Sequence, residues 1–568
     1  MASHSPAVNQ SSRWSTFGSC PAAVIVFGSI LSLAGIGGCP LTGNSPEAQQ
    51  TAANVGKPTA EFKPTLDLEL KATSSVQQIL PGQTTPVLTY VPSVISGDAA
   101  QVASLPGSYL GPIIRVRTGD RLRVRLANDL DEPTIIHWHG IRVPAEQDGH
   151  TRYSINPGEE FTYEFEVRDR AGTYWFHPHT HGVTGRQVYR GLAGLLLVSN
   201  DEEDAAGLPA GEFDLPLVIQ DRMFDAINQL VYPPHDGTML DGFLGDQVLV
   251  NGQANHELVV STRAYRLRLL NGSNSRTYKL AWSDGTPLVV IATDGGLLQA
   301  PVQREYVALA PGERVELWAD FSEYPVGTDL SLESLEFTGA DVGMEMMGMG
   351  GAMGMGGMMG MGGLNMRGAS SETAQMMDGN GIGGVPNGAA MRITRIRVER
   401  QEQETRSLPA KLSTFTRYRT DDAVNAANPR TFSISAGMQM MSGMQWGFDG
   451  QTFQLNGLSD NERVPFDALE VWEFVNETSP MAMNHPLHIH GAQFQILERH
   501  VMPEFAEGWE SVRRGYLDEG WKDTFLVMPG ERVKLLIRFG DFQGEYMYHC
   551  HNLEHADGGM MRNLRVGE

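Results

Sequence analysis

The stretch His549-Cys550-His551-Asn552-Leu553-Glu554-His555-Ala556-Asp557-Gly558-Gly559-Met560, near the end of the chain, is the most informative part of the sequence. Cys550, His555 and Met560 offer a thiolate, an imidazole and a thioether, a mixture that suits a blue copper electron-transfer centre. On an extended strand, the histidines on either side of Cys550 point to the face opposite the cysteine. One tripeptide can therefore contact two metal centres, which predicts a site that passes single electrons from one centre to the other.

Three further histidine clusters stand earlier in the chain. They are His137-Trp138-His139 after an alternating, strand-like run at 113–126, His177-Pro178-His179 after Thr173-Tyr174-Trp175-Phe176, and His485-Pro486-Leu487-His488-Ile489-His490 before a strand-like segment at 493–497. Together the four clusters use ten of the sixteen histidines. A lone histidine is usually a core or surface residue, whereas four dense clusters indicate metal sites. Imidazole suits several metals, and the cysteine with the methionine selects copper.

These motifs resemble the signature of the multicopper oxidases. The segment 175–182, followed by Thr184-Gly185-Arg186-Gln187, resembles the bacterial copper-efflux oxidase and spore-coat laccase branch, and the likeness runs from about Phe62 to the C-terminus. It implies four copper ions, namely one type 1, one type 2 and two type 3 ions. By position it implies the type 1 ligands His485, Cys550, His555 and axial Met560, the type 2 ligands His137 and His488, and the type 3 ligands His139, His177, His179, His490, His549 and His551.

The resemblance implies an enzyme in which a reductant gives electrons singly to the type 1 site, while dioxygen takes four electrons and four protons at a three-copper cluster. Proton supply needs carboxylates close to that cluster. Asp148 matches an acidic position that the family places near the cluster, and Glu554 and Asp557 bracket His555. Ala556 stands where bacterial members often carry glutamate, so these three acids are the candidates for proton delivery.

The chain is 568 residues long, a length that suits three domains of roughly 150 residues each. Short alternating segments are separated by turn signals such as Asn271-Gly272 and Pro529-Gly530, and long amphipathic helical patterns are scarce, which indicates an all-β protein. The resemblance implies three cupredoxin-like Greek-key β-sandwich domains, which we place at 62–205, 206–400 and 401–568. Because the motifs lie in the first and last domains, we expect the three-copper cluster at their interface and a middle domain that acts as a spacer.

Residues 1–39 are interpreted as a signal segment. The apolar stretch Ala22–Ile36 is shorter than the about 20 residues that a membrane-spanning helix needs, and Ile36-Gly37-Gly38-Cys39 resembles a bacterial lipoprotein processing box. We expect a lipid on Cys39, a linker at 40–61, and a periplasmic or cell-envelope location. An ordinary cleaved signal without lipidation is the alternative. The net charge of −24 argues against a nucleic-acid partner, and we expect a monomer.

A methionine- and glycine-rich insert at 343–377 interrupts the middle domain. Thioethers prefer Cu(I) over harder cations, so the insert predicts capture of Cu(I), although methionine clusters also serve as gap-filling core or adhesive surface. The candidate ligands for substrate Cu(I) are Met344, Glu345, Met346, Met347 and Met483. Met481 stands where the resemblance predicts an aspartate, and the role of the second group, Met438 to Met444, stays open.

The sequence thus predicts a multicopper oxidase that couples oxidation of Cu(I) to reduction of dioxygen to water and so protects the cell envelope from copper. The alternative enzyme is a laccase-like oxidase of phenols and aromatic amines, and oxidation of Fe(II) or Mn(II) is a further one. A protein that only sequesters copper is the alternative from another class. The complete ligand set argues against it, because storage does not need a three-copper oxygen site.

Overall fold

Six β-sheets contain most of the regular secondary structure of the described chain, which confirms the all-β prediction. The computed structural model describes residues 55–232, 240–340, 384–439, 443–476 and 483–567, without the side chains of 438, 439, 443 and 444. Several predicted features lie outside the described residues: the signal segment at 1–39 with Cys39, the insert with Met344, Glu345, Met346 and Met347, and Met481. The side chains of Met438 to Met444 lie outside them as well.

The sheets fall into three consecutive pairs. The first pair contains β1 (Leu66–Gln77), β2 (Thr85–Ser96), β3 (Val102–Ala103), β4 (Ile113–Arg117), β5 (Arg121–Asp129), β6 (Ile136–His139), β7 (Glu160–Glu166), β8 (Gly172–Pro178) and β9 (Gly194–Ser199). Its strand orders are β2-β1-β5-β7 and β3-β4-β9-β8-β6.

The second pair contains β10 (Asp214–Arg222), β11 (Gln247–Val250), β12 (Gln253–Ala254), β13 (Glu257–Ser261), β14 (Ala264–Asn271), β15 (Tyr278–Trp282), β16 (Leu288–Thr293), β17 (Gly296–Arg304), β18 (Val307–Leu309), β19 (Arg314–Asp320), β20 (Asp329–Ser334) and β21 (Met391–Arg400). Its strand orders are β12-β11-β10-β14-β19-β16-β17 and β13-β21-β20-β15-β18.

The third pair contains β22 (Arg430–Gln439), β23 (Gly443–Phe448), β24 (Arg463–Val464), β25 (Leu469–Val475), β26 (His485–Ile489), β27 (Phe494–Val501), β28 (Thr524–Val527), β29 (Glu531–Arg538), β30 (Gly544–Cys550) and β31 (Met561–Val566). Its strand orders are β23-β22-β25-β29-β27 and β24-β31-β30-β26-β28. The predicted domain boundaries at 205/206 and 400/401 fall between the three pairs.

The helices of the described chain are short. They are α1 (Thr184–Arg190), α2 (Asp201–Ala206), α3 (Ala506–Val512) and α4 (Leu553–Asp557), with 3₁₀ turns at Ala99–Gln101, Ala145–Gln147, Thr151–Tyr153, Gly211–Phe213, Thr420–Asp422, Asp460–Glu462, Pro503–Phe505 and Arg513–Gly515. None of the described helices has both the length and the apolar character that crossing a membrane requires.

One parallel strand pair recurs in each sheet, and the other pairings are antiparallel in the described residues. The parallel pairs are β1·β5, β4·β9, β10·β14, β13·β21, β22·β25 and β24·β31. Parallel neighbours cannot be joined by a hairpin, so the chain must cross between the two sheets of a pair, as it does in Greek-key sandwiches. The three pairs therefore share one topology, with the middle pair enlarged by extra strands.

Strand alternation builds each core. In β5 the sequence Arg-Leu-Arg-Val-Arg-Leu places Leu122, Val124 and Leu126 inside, while the arginines between them lie on the outer face. The last residues of the predicted linker also belong to the folded chain: the Gly56 carbonyl accepts a hydrogen bond from the Thr162 N–H at 2.8 Å. The folded first domain thus includes Gly56, which the sequence analysis places in the linker.

Candidate metal centres

The first two histidine motifs lie on paired strands. The pairing of β6 with β8 puts His137 directly opposite His177, with His139 two residues further along β6. Opposite and alternate residues share one face of a sheet, so these three histidines point the same way. Trp138 and Phe176, one step along each strand, point into the core of the first sheet pair. Alternation thus separates the ligand face from the hydrophobic face.

The last two motifs divide between two faces in the same manner. The pairing of β26 with β30 puts His488 opposite His549, and Leu487 opposite Cys550. Cys550 therefore faces the core of the third sheet pair, and His485 lies on that side because it is two residues from Leu487. The two paired histidines face away from that core. The structure thus shows the alternation around Cys550 that the sequence predicts.

The first candidate centre lies within the core of the third sheet pair. Cys550 Sγ lies 3.5 Å from His485 Nδ1 and 3.7 Å from His555 Nδ1. Met560 is also fully buried, and its backbone N–H donates to the His555 carbonyl at 2.8 Å while its carbonyl accepts from the Cys550 N–H at 3.0 Å. The 550–560 loop is therefore closed on itself. A thiol, two imidazoles and a thioether in one loop and one strand are the donors of a blue copper site.

The surroundings of this triad determine which His555 nitrogen is free to bind metal. His555 Nε2 donates to the Leu240 carbonyl at 2.7 Å, so Nδ1 keeps its lone pair toward Cys550. Trp446 stacks on the His555 ring with centroids 4.0 Å apart and planes at 24°. Burial raises the pKa of the Cys550 thiol, and a bound cation would release its proton and make it a thiolate ligand.

Eight histidines converge at the second candidate centre, between the first and third sheet pairs. Four of them donate through Nδ1 to backbone carbonyls at 2.8 Å: His137 to Asp148, His177 to Pro178, His488 to Asp523 and His549 to Cys550. Because a carbonyl only accepts, Nδ1 carries the proton in each ring and Nε2 is left with a lone pair.

These lone pairs face one another at short distance. His137 Nε2 lies 3.2 Å from His488 Nε2, and His549 Nε2 lies 3.1 Å from His490 Nε2 and 3.2 Å from His179 Nε2. His490 also directs a lone pair inward, because its Nδ1 donates to a carboxylate. Nitrogen lone pairs at this separation repel each other unless a cation lies among them, so the arrangement fits bound metal.

A third group completes the centre. His139 Nδ1 lies 3.4 Å from His177 Nε2, and the ring of His551 lies 5.0 Å and 5.4 Å from the rings of His139 and His177, centre to centre. Both ring nitrogens of His551 are buried without a hydrogen-bond partner in the described chain, a cost that a metal ion would remove. The three groups correspond to the type 2 pair and the two type 3 triads that the sequence predicts. Which ion each group binds stays a prediction.

Burial favours the neutral form of seven of the eight imidazoles, the form that binds metal. Burial, reinforced by neighbouring imidazoles, lowers the pKa well below the usual value for His139, His177, His179, His488, His490 and His551. Burial also lowers the pKa of His549, to about 4, although its hydrogen bond to the Cys550 carbonyl acts in the other direction.

Asp148 lies beside the eight histidines, as the sequence predicts. Its Oδ2 accepts from His490 Nδ1 at 2.7 Å, and its Oδ1 lies 3.4 Å from His137 Nδ1 without a hydrogen-bond partner in the described chain. The residue is fully buried, and this burial raises the pKa of its carboxyl group. Asp148 therefore orients one ligand with its side chain and another with its carbonyl, and its role in proton delivery stays a prediction.

The carboxylates of Glu554 and Asp557 bond to the other two domains, although both residues stand close to His555 in the sequence. Glu554 is buried and accepts four hydrogen bonds from the middle domain, from Tyr232, Phe243, Asn274 and Ser275. Asp557 accepts from the backbone N–H groups of Gly182, Thr184 and Gly185, at the start of α1 in the first domain. Both carboxylates therefore brace α4 against the other domains. Their part in proton delivery stays a prediction.

Two functional residues are missing from the sequence-based prediction. Asp523 accepts from His139 Nε2 through Oδ1 at 3.0 Å, and its carbonyl accepts from His488 Nδ1. Arg314, from the middle domain, pairs with the Asp523 carboxylate through both terminal nitrogens, at 2.7 and 2.5 Å. No local motif marks either residue. Arg314 therefore brings the middle domain into contact with the group that orients two of the eight histidines.

Met483 is the one candidate substrate ligand within the described residues. It is buried in the core of the third sheet pair, two residues before His485, and its carbonyl accepts from Asn476 Nδ2 at 2.8 Å. Its side chain thus lies in the core that also contains Cys550 and Met560. Binding of Cu(I) by Met483 stays a prediction.

Comparisons with known proteins agree with this geometry. Two sequence profiles, both described as multicopper oxidase, match residues 88–203 and 423–568. The chain is 30% identical over 463 residues to the multicopper oxidase mco of Staphylococcus haemolyticus, covering 81% of this chain and 83% of that protein. It is 29% identical over 507 residues to a laccase of Bacillus stratosphericus, covering 81% and 89%.

A solved structure extends the similarity to the fold. The crystal structure of the McoA multicopper oxidase from the hyperthermophile Aquifex aeolicus matches with a TM-score of 0.68 and 31% identity. The match covers 89% of this chain and 97% of that chain. This likeness confirms the cupredoxin-like architecture that the sequence predicts.

Proposed function

Because the chain belongs to the multicopper oxidase family, and its relatives include multicopper oxidases and laccases, we propose that it oxidises Cu(I) to Cu(II) and reduces dioxygen to water. In this proposal the 485/550/555/560 set holds a type 1 copper, and the eight converging histidines hold three further ions. The bound copper ions supply the electron transfer and the oxygen chemistry. The protein holds each imidazole in its neutral form with a lone pair directed inward, and excludes bulk water by burying both sites.

The observation that carries the Cu(I) proposal is where the ends of the methionine-rich insert are anchored. The described chain stops at Ala340 and resumes at Gly384. The Ala340 carbonyl accepts from the N–H of Asn484, the residue before His485, at 3.0 Å. Asn484 Nδ2 donates to Thr277 Oγ1 at 3.2 Å, and the N–H of Thr277 in turn donates to Asn387 Oδ1 at 3.2 Å. One flank is thus bonded directly to the residue before His485, and the other is linked to that residue through Thr277.

Nine methionines between 344 and 361 offer thioethers, which are ligands for Cu(I) and poor ligands for hard cations. Donors carried on the same chain reach a site intramolecularly, so they need not bind from solution. Thioethers in a segment whose described flanking residues are bonded near His485 support Cu(I) as the reductant.

Oxidation of small aromatic reductants is the second candidate function. The similarity to a laccase favours it. Oxidation of Fe(II) or Mn(II) has no comparable support, because those harder ions prefer oxygen ligands. The two candidates differ in whether turnover depends on the methionines of the insert.

The test compares oxygen uptake with Cu(I) and with a methoxyphenol on three forms of the copper-loaded protein. These are the full chain, a deletion of 344–361, and a matched control of unchanged length in which the nine methionines are leucines. We expect both altered forms to lose at least ten-fold in Cu(I) turnover and to keep phenol turnover. Unchanged Cu(I) rates would refute the Cu(I) proposal in favour of aromatic donors, and absence of oxygen uptake with every donor would favour copper sequestration.

We also propose that the protein is exported and anchored through a lipid on Cys39, on the basis of the sequence at 36–39. A single acyl chain anchors only weakly, so firm attachment requires more than one chain. Expression of the full chain and of Cys39→Ala, followed by membrane fractionation and mass analysis of the N-terminal peptide, tests this. An unmodified Cys39 or a soluble wild-type protein would contradict it.

A further inference from the structure

A buried ion pair at the junction of the three sheet pairs has no role in the function described so far. Asp523, just before β28, accepts from His139 Nε2 through its carboxylate at 3.0 Å and from His488 Nδ1 through its carbonyl at 2.8 Å. The rings of His139 and His488 stack with centroids 3.7 Å apart and planes at 13°. One residue therefore orients two candidate ligands that come from different domains.

Arg314, at the start of β19, fixes the Asp523 carboxylate in turn. Its two terminal nitrogens bind the two carboxylate oxygens at 2.7 and 2.5 Å, the planar fork geometry that holds a carboxylate in one orientation. The rest of the guanidinium is held as well: Nε donates to the Thr173 carbonyl at 3.0 Å, and Nη2 to the Asp294 carbonyl at 3.1 Å. Both members of the pair are fully buried.

Gly140, the last residue of the first histidine motif, shows how closely the pair is packed. A Cβ at Gly140 would lie 2.5 Å from Asp523 Oδ2 and 2.6 Å from Arg314 Nη2, and the residue has a φ of +87°. Both the space and the backbone conformation therefore require glycine here. The chain segment that carries the first two candidate ligands thus depends on the ion pair beside it.

We propose that Arg314 is a positioning residue for the cluster copper ions and acts through Asp523. The carboxylate only accepts, so it keeps the proton of His139 on Nε2 and leaves the Nδ1 lone pair directed toward His177 Nε2, 3.4 Å away. Without the guanidinium fork, the carboxylate can rotate away from His139 Nε2, and His139 loses the acceptor that fixes its tautomer. This inference rests on copper being bound by the eight histidines, and it does not depend on Cu(I) as the reductant.

The test uses the full-length protein with Arg314→Lys and Asp523→Asn, reconstituted with copper. Lysine keeps the positive charge but cannot form the fork, and asparagine keeps the shape without the charge. Arg268→Lys is the matched control, because Arg268 is another fully buried middle-domain arginine that bonds Thr173, yet its acidic partners are Asp214, Glu316 and Glu203. The readouts are total copper, the blue type 1 absorption, the near-ultraviolet band of the type 3 pair and the type 2 EPR signal.

We expect Arg314→Lys and Asp523→Asn to keep the blue absorption and to bind cluster copper about 10- to 100-fold more weakly, the usual cost of removing a group that orients a metal ligand. The Arg268→Lys control should match the wild type in every signal. Cluster signals at wild-type level in both test variants would overturn the inference, as would parallel loss of the blue and cluster signals. A wild type that shows only the blue signal would overturn the eight-histidine copper assignment itself, and the inference with it.

Discussion

Replacing Glu554 by glutamine separates its bracing role from the proton-delivery role that its position beside His555 suggests. In the structure Oε1 accepts from Tyr232 and Asn274, both at 2.7 Å, and Oε2 accepts from the Phe243 N–H at 2.9 Å and from Ser275 at 2.7 Å. An amide nitrogen placed at either oxygen position faces one hydroxyl, which can turn and accept. It also faces one N–H group, which cannot.

Glu554→Gln therefore loses at least one hydrogen bond to a charged acceptor and leaves a buried donor without a partner. Bonds to charged groups contribute about 1.5–3 kcal/mol each, and the remaining bonds weaken when the charge is lost, so we expect the free energy of unfolding to fall by about 3 kcal/mol. Urea unfolding of the copper-free protein, followed by tryptophan fluorescence, measures it. Unchanged stability together with a pH-dependent loss of oxygen uptake would refute the bracing role and restore proton delivery.

Glu510→Gln is the matched control for this experiment. Glu510, on α3 of the same domain, pairs at 2.6 Å with Arg513, which directly follows the helix, and the two side chains are 51% and 40% exposed. Exposed pairs of this kind contribute at most about 1 kcal/mol, because water screens them and the side chains lose entropy. The control should therefore unfold at nearly the wild-type urea concentration. A loss equal to that of Glu554→Gln would mean that the assay reports charge removal in general.

Three further changes test other parts of the structure. Asp148→Asn should keep the acceptor for His490 and retain copper, yet lower oxygen uptake about ten-fold with unchanged anaerobic bleaching of the blue band; a wild-type rate would exclude proton delivery by Asp148. Burial lowers the pKa of His150 to about 3, below its unfolded value of about 6.5. Between these two pH values the unfolded chain binds more protons than the folded chain, so the free energy of unfolding falls as the pH drops. His150→Gln should therefore shrink the loss of stability between pH 6.5 and pH 4.5 by about 2–3 kcal/mol, measured by urea unfolding at both pH values; an unchanged pH dependence would contradict the burial effect. Cys550→Ser should abolish the blue absorption and lower the copper content by one ion while the type 2 EPR signal remains, and loss of all copper would show that the two centres do not load independently.

The sequence predicts the strands and both candidate sites because the relevant information is local. Alternation requires only neighbouring residues, so His549 and His551 on one face and Cys550 on the other can be read directly from the tripeptide. The same alternation of side-chain direction divides the histidines of the 485–490 motif between the two centres. Turn residues and alternating runs in the same way predict the all-β class. The domain interface follows because ligands of one cluster must meet wherever they lie in the chain.

The ion pair at the cluster could not be predicted, because nothing local relates its members to the ligands. Asp523 lies 384 residues after His139, and Arg314 lies 209 residues before Asp523. The local sequence around each of the two residues predicts only the end of a strand. A signal that could have suggested the site is Gly140, since a glycine directly after a ligand strand often indicates a close approach of another group. The partner, however, is visible only in the folded chain.

Glu554 is a candidate for proton delivery because it stands next to His555 in the sequence. Whether it can act there depends on the direction in which its side chain points. Residues 553–557 form a helix, and consecutive helical residues point about 100° apart, so Glu554 and His555 face different surroundings. The imidazole turns to Cys550, and the carboxylate turns to the middle domain. Proximity in sequence therefore does not by itself place the Glu554 carboxylate beside the metal-facing nitrogen of His555, and proton delivery by Glu554 stays a prediction.

The middle domain supplies none of the candidate ligands of the two buried metal centres, yet it is bonded to the segments that carry both centres. It binds the type 1 loop through the donors to Glu554, and it binds the cluster through Arg314. Since these two contacts lie on different strands and loops of that domain, their effects should separate. Substitutions among the Glu554 donors should change the blue absorption first, and substitutions around Asp294 and Arg314 should change the cluster signals first. A domain that only spaced the other two would produce neither pattern, because its substitutions would weaken both centres together.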